Sequence, residues 1–338
     1  MMNALIEPMK ASKTTLINDM MLLDGSHKKP LTYQDKYFQD ASTILDYLYI
    51  ALKYNHKLIF THFMHWFGEL ANYLEFNHDA MKRFFSVFEQ VLQQYFGDAY
   101  DLSVKPFVDE GIDNFNDGFE SAINDTDEID EFLQYLLHMK NTEATHYIQN
   151  LLHTGTDIKE IYLKILQPTM HITGELWKKR KISVAKEHYI TAMVQNIIGQ
   201  LYPYLFTDKQ SIQYRLTAVC AGSELHEIGV RMLADFYELG GWDTHYLGSN
   251  LPISEVVQHL LESPADVLAI SATTARSLDD VTELIKHVRS HPKLKHTKIM
   301  VGGKLFNDIP TLLESLDIDG YAKNAEEAFI IGSQLVST

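Results

Sequence analysis

From Arg215 onward the chain changes period, and no other feature of the sequence restricts its fold so strongly. Short apolar or β-branched runs alternate with helical stretches: LTAVCA (216–221), THYLG (244–248), DVLAIS (266–271), KIMVGG (298–303) and DGYA (319–322). Helices are predicted after His226, Ile253, Leu278, Asn307 and Ala325. Five strand–helix repeats predict a doubly wound parallel sheet, in which ligands bind at the carboxyl ends of the strands.

Such a five-stranded sheet is of the flavodoxin-like (Rossmann-like) kind, and three features fall on its carboxyl edge. After the first strand comes Glu224-Leu225-His226-Glu227-Ile228-Gly229, after the third Ser271-Ala272-Thr273-Thr274, and after the fourth Gly302-Gly303. They offer an imidazole that a carboxylate can orient, hydroxyls for a polar ligand, and bare backbone that lets a bulky group approach. A single histidine at a helix start is more often a cap or a surface residue, so only the coincidence of three loops points to a ligand. Phosphate chemistry explains the set less well, because no Gly-rich loop with a lysine and no G-x-G-x-x-G follows the first strand.

Upstream, two helical blocks are predicted. Residues 1–125 form a helical domain whose pattern is clear from about Tyr33 to Gly97, with an aromatic stripe of Phe60, Phe63, Phe67 and Leu70 that reads as core. The stretch between Asp109 and Glu131 is acidic, lacks Lys and Arg and is interrupted by Gly and Asn, so it reads as a solvated linker. Residues 126–210 form a second helical block, punctuated by Gly155, Pro168 and the polar run around Lys179, with Ser183 as an N-cap, and residues 211–338 form the α/β domain. His62 and His65 share a helical face and form a minor metal or haem candidate.

Charge and composition narrow the function. A formal net charge of −16 repels nucleic-acid phosphates and disfavours direct DNA binding, and the run Lys178-Lys179-Arg180-Lys181 reads as a solvated turn. The single cysteine, Cys220, reads as a small buried hydrophobe. No run reaches the ~18–20 apolar residues of a membrane helix and no leader is legible, so a cytoplasmic protein without a membrane partner is expected.

The acid-x-His-x-x-Gly, Ser-x-small and Gly-Gly loops together resemble the cobalamin-binding domain family, whose first motif is usually Asp-x-His-x-x-Gly; here Glu224 replaces the aspartate. The resemblance implies that His226 ligates cobalt from below in place of the cofactor's own benzimidazole, with Glu224 setting its proton. It further implies that Gly229 gives room for the displaced nucleotide tail and that Ser271, Thr273, Thr274, Gly302 and Gly303 wall its slot, flanked by Leu225, Glu227 and Ile228. The stretch DGYAKNAEEA (319–328), with Tyr321, looks like the family's last strand and helix start. Residues of the second helical block resemble the four-helix cap of light-responsive cobalamin regulators of the CarH type: Trp177 as a lid over the upper ligand, with Val184, Glu187 and His188 beside it. Two positions depart from that pattern, since Lys178 stands where photoreceptors can carry a second cobalt-ligating histidine, a role left to His188 or His171, and Arg180 stands where Gly is common.

The expectation is therefore a non-enzymatic cobalamin sensor, possible as an adenosylcobalamin photoreceptor, signalling through cap movement to another regulatory protein or by self-association; no winged-helix segment is legible upstream. Methylcobalamin is the other candidate form. The rival expectation is a corrinoid carrier of a methyltransferase system, and the third a degenerate, cofactor-free scaffold.

Overall fold

The computed structural model describes residues 3–122, 130–205 and 213–337. The chain divides into two compact units, Met1–Asp125 and Thr126–Thr338.

The first unit is helical: α1 (Asn3–Ala11), α2 (Lys13–Leu23), α3 (Leu31–Lys53), α4 (Lys57–Tyr73), α5 (His78–Phe96) and α6 (Lys105–Ser121). Helices thus begin well before Tyr33, and Leu16, Ile17, Met20 and Met21 of α2 are buried at helical spacing. Phe60, Phe63 and Phe67 of α4 are buried, as core residues should be, while Leu70 of the same stripe is only half-buried.

The acidic stretch corrects the sequence expectation: as far as Ser121 it is helix α6 and not a linker. Phe107, Val108, Gly111, Phe115 and Gly118 are buried at helical intervals, while Asp109, Asp113, Asp117 and Glu120 face out. Its glycines are contact points. A Cβ on Gly118 would lie 2.0 Å from the carbonyl oxygen of His65, and one on Gly68 of α4 would lie 2.1 Å from that of Phe115. Glycine lets the two backbones touch, so a residue type that reads as loop punctuation serves helix packing here. Residues 123–129 of the expected linker, and Phe206, the end of the second predicted block, lie outside the described residues.

The second unit opens with α7 (Glu131–Leu137), α8 (Asn141–His153), α9 (Ile158–Ile161), α10 (Gln167–Lys178) and α11 (Val184–Leu201). α9 runs into α10 through a π-helical turn, Tyr162–Leu166, so Pro168 does not end the helix as its residue type suggests. Proline clashes with the carbonyl four residues before it, and the wider turn that contains Lys164 accommodates this. The same pairing occurs in the first unit, where Tyr100–Val104 is π-helical and Pro106 follows.

The sheet follows as β1 (Arg215–Cys220), α12 (Ile228–Leu239), β2 (Asp243–Gly248), α13 (Ile253–Glu262), β3 (Val267–Ser271), α14 (Leu278–Ser290), β4 (Lys298–Gly302), α15 (Lys304–Asp308), β5 (Gly320–Ala322) and α16 (Ala325–Ser337). All pairings are parallel in the order β2-β1-β3-β4-β5. The helix expected after Asn307 starts instead at Lys304 and stops at Asp308, because Pro310 opens a separate 3-10 turn, Pro310–Ser315. The order reverses between β1 and β3, which makes the crevice outside their carboxyl ends the binding position of this topology.

The four-helix cap and the α/β part share one core. Phe132, Leu136, Ile161, Tyr162, Leu176 and Val194 of the cap pack with Met232 and Phe236 of α12. Tyr162 donates to Asp235 Oδ2 at 2.8 Å in the buried interior, and Arg231 Nε lies 3.2 Å from Asp235 Oδ1. Among the described residues, no helix is long and apolar enough to cross a membrane.

Candidate functional site

The chain leaves β1 through a turn that only glycine fits. Gly222 adopts φ +49°, and a Cβ there would lie 1.9 Å from Asp280 Oδ2. The backbone then folds back, with Glu224 N donating to the Ala221 oxygen at 2.9 Å. This brings the Glu224 carboxylate, on a residue only 4% exposed, between the loops after β1 and β3.

Both carboxylate oxygens are used. Oε1 accepts from the amides of Leu225 at 3.0 Å and His226 at 3.1 Å, and lies 2.5 Å from His226 Nδ1. Oε2 accepts from the amides of Thr273 at 2.9 Å and Thr274 at 3.2 Å, and from Ser277 Oγ at 3.1 Å. Burial pushes this carboxyl up, but the bonds from His226 and Thr273 outweigh it and hold the group down at about 2. The extra methylene of Glu224 therefore does not cost it the imidazole.

The same bond raises the His226 imidazole above its usual value, against the effect of burial, with the negative charge of Glu187 adding to it. With Nδ1–H given to the carboxylate, the lone pair sits on Nε2, the tautomer a metal ligand needs. The side chain is 64% exposed, so the ring is accessible. Beneath it, Cys220 is buried, its Sγ 3.7 Å from the His226 carbonyl oxygen, and burial pushes the thiol up to about 12.

The glycines serve different ends. Gly229, in the first turn of α12, would carry a Cβ into space with nothing within 4 Å, although glycine costs a helix roughly 0.5–1 kcal/mol relative to alanine. Protein packing does not require it there, and the room beside it suits a bulky ligand. Gly303 adopts φ +102°, and a Cβ would lie 2.3 Å from the Ala272 oxygen. Ala272 N donates to Gly302 O at 3.1 Å and Ser271 pairs with Gly302 in the sheet, so the loops after β3 and β4 form one wall with Ser271, Thr273 and Thr274 half-buried along it.

The cap contributes the charge of Glu187, which acts on His226. Ser183 caps α11, accepting from Lys186 N at 3.2 Å, and Val184, half exposed, with Glu187 and His188 occupies the helix start. Glu187 pairs with His188 Nδ1 and accepts from Thr191 Oγ1 at 2.8 Å. Trp177 is half-buried on the last turn of α10, rotated about 100° from the core residue Leu176. Lys178 is buried with Nζ 2.8 Å from Glu175 Oε2, which corrects its reading as part of a solvated turn. Arg180 adopts φ +56° at the helix end, where Lys181 N bonds Leu176 O at 2.8 Å, the left-handed position that glycine favours. Burial and the Lys304 ammonium lower the pKa of His171.

The structure thus joins Glu224, His226, Thr273 and Thr274 into one network and brings the Glu187 charge within reach of it. Trp177 and Val184 lie on the cap, and Tyr321 lies on β5 with its hydroxyl donating to Asn307 Oδ1 at 2.8 Å. Glu227 is engaged by Gln195, Tyr246 and Ser249. Ser277, Gln195, Tyr246 and Ser249 escaped the sequence reading, since none has a signal beyond its residue type. No group of three or more His, Cys, Asp or Glu able to hold a metal occurs among the described residues, so the pair His62 and His65 gains no third ligand. A lone histidine fits a macrocyclic cofactor, whose ring supplies the equatorial ligands.

Two family models, each described as a B12 binding domain, match residues 214–330 and 128–202. Dimethylamine corrinoid protein 1 of Methanosarcina acetivorans is 25% identical over 184 residues, which are 54% of this chain and 84% of that protein. Dimethylamine corrinoid protein 3 of the same organism is 26% identical over 113 residues, 33% of this chain, and the chain spans about half that relative's length, 52%. The structure of the Methanosarcina barkeri monomethylamine corrinoid protein matches with a TM-score of 0.53 at 20% identity, covering 62% of this chain and 97% of that one, a likeness of fold.

Proposed function

This chain carries a B12 binding domain, and from that premise we propose that it is a corrinoid carrier, holding cobalamin on His226 and working with methyltransferase partner proteins. The relatives named above are corrinoid proteins, which supports the carrier over the light-responsive sensor that the cap residues suggest. The observation that carries the reading is the buried Glu224 carboxylate fixing Nδ1 of an accessible His226 beside the open room at Gly229.

Bound cobalamin supplies a cobalt atom that can carry a methyl group between proteins. The chain's own residues bind and orient: His226 offers Nε2 to the metal, Glu224 holds the opposite proton, the 271–274 and 302–303 loops wall the slot, and Gly229 leaves space for the nucleotide tail. On this reading the chain has no catalytic residue of its own and methylcobalamin is its working form.

A sensor remains the second reading, favoured by one observation. Glu187 and His188, bonded together at the start of α11, present polar groups suited to a ribose or an adenine. Reconstitution of wild type and His226→Ala with methylcobalamin and with adenosylcobalamin, in the dark and then in light, separates the two. A carrier retains methylcobalamin, loses the histidine-ligated spectrum in His226→Ala, and passes the methyl group to a thiol acceptor. A sensor prefers the adenosyl form and changes its spectrum and assembly state on illumination. Failure of wild type to retain any cobalamin overturns both.

A further inference from the structure

Glu227 follows the predicted cobalt ligand, yet its carboxylate is taken by donors from three places in the fold. Gln195 Nε2 on α11 lies 3.0 Å from Oε1, while Tyr246 OH on β2 at 3.1 Å and Ser249 Oγ beyond it at 2.9 Å donate to Oε2. The backbone of the same residue shapes the loop, with Glu227 N donating to Leu225 O at 2.9 Å and Glu227 O accepting from Arg231 N at 2.9 Å. Tyr246 is held further by the Arg231 guanidinium, 5.2 Å from its ring centroid.

The cap therefore has two kinds of polar attachment to the α/β part. The Tyr162–Asp235 bond is buried, and breaking it leaves an unpaired polar group in the interior. The Gln195–Glu227 bond is exposed to solvent, so water can replace it at little cost. Gln195 lies two turns along α11 from Glu187, whose charge acts on His226. From this placement we infer that Glu227 is a positioning residue: a clasp whose cap arm couples the seat of α11 to the His226 loop, and whose sheet arm fixes that loop on β2. This rests on the cobalamin reading and deepens it, because it names the contact that sets how readily the cap parts from the cofactor side.

Hydrogen exchange of the full chain, with and without methylcobalamin, tests it together with the visible spectrum and the rate of methylcobalamin release. Gln195→Leu should speed exchange in the turns of α11 around Gln195 by about two- to threefold, and methylcobalamin release by a similar factor, the small worth of one solvent-exposed bond. Its exchange in α12 and β2 and its histidine-ligated spectrum should stay unchanged. The double variant Tyr246→Phe, Ser249→Ala should leave α11 unchanged and lower the fraction of bound cobalamin that shows histidine ligation. Glu227→Ala should do both. Wild-type exchange in α11 for both Gln195→Leu and Glu227→Ala overturns the clasp. If wild type retains no methylcobalamin, the cofactor reading fails, while exchange in the cofactor-free chain still decides the clasp.

Discussion

Glu224 Oε1 lies 2.5 Å from His226 Nδ1 while the same carboxylate's Oε2 is held by the amides of Thr273 and Thr274 at 2.9 and 3.2 Å. One buried side chain thus ties the imidazole to a second strand end, and the ring cannot turn without disturbing the loop after β3. Outer partners of this kind typically change metal affinity by about 10–100-fold when removed. Glu224→Ala should therefore weaken cobalamin retention by that order and should also lower the unfolding free energy of the cofactor-free chain by roughly 1–3 kcal/mol, since several donors lose their acceptor. Spectral titration and urea unfolding measure the two effects; an affinity equal to wild type would separate Glu224 from ligation.

Acid dependence should be visible at Asp235. Burial raises its carboxyl above the usual value of 3.8, opposed by the bonds from Tyr162 and Arg231. A raised folded value means the native state holds this proton more tightly than the unfolded chain does. The contribution is then fully present below pH 3.8 and is lost as pH rises through the folded value. Wild type should gain stability relative to Asp235→Asn as the solution is acidified across that window, in urea titrations run at each pH. A difference that does not vary with pH would refute the assignment.

Arg180 sits at φ +56° just past the end of α10. Arg180→Gly should stabilise the second unit by about 0.5–1 kcal/mol, because glycine reaches the left-handed region without the Cβ penalty. For a unit of this size that is a rise of about 1–4 °C in Tm, measurable by calorimetry.

The contact between α4 and α6 predicts the opposite sign. Gly118→Ala puts a Cβ 2.0 Å from the His65 carbonyl oxygen, a clash with backbone that no rotamer relieves. The helices must separate, and the first unit should lose about 1–3 kcal/mol or more. Gly155→Ala, whose glycine has nothing within 4 Å but a φ of +91°, should cost only the backbone term, whereas the helical backbone at Gly118 by itself favours alanine, so a loss of stability there reports packing alone.

The sheet was legible because its inner strands β1, β3 and β4 are buried and leave continuous apolar runs, while β2 and β5 are marked by short strand-like runs between helices, and the five predicted strands fall within about one residue of the observed ones. The His226 loop was legible because its chemistry is local: Glu224 and His226 are two residues apart. Helix α6 was not, since its acids face solvent and its glycines meet a partner helix that is distant in sequence, both of which imitate a loop. Ser277, Gln195, Tyr246 and Ser249 were invisible for a related reason, as each gains its role from a residue at least 19 positions away. The spacing of Trp177 to Glu187-His188 suggested a light sensor, yet a bulky lid and a polar pair are compatible with more than one upper ligand, and the matches to corrinoid proteins weigh towards the carrier.

The buried Cys220 has a consequence for a protein proposed to handle reactive methyl groups. Its thiol is the sole one in the sequence, 1% exposed and held far from the thiolate form. Self-alkylation at sulfur is thus closed off in the native chain. Any labelling by a thiol reagent would count molecules in which the sheet has come apart, giving the protein an internal gauge of opening that needs no added probe site.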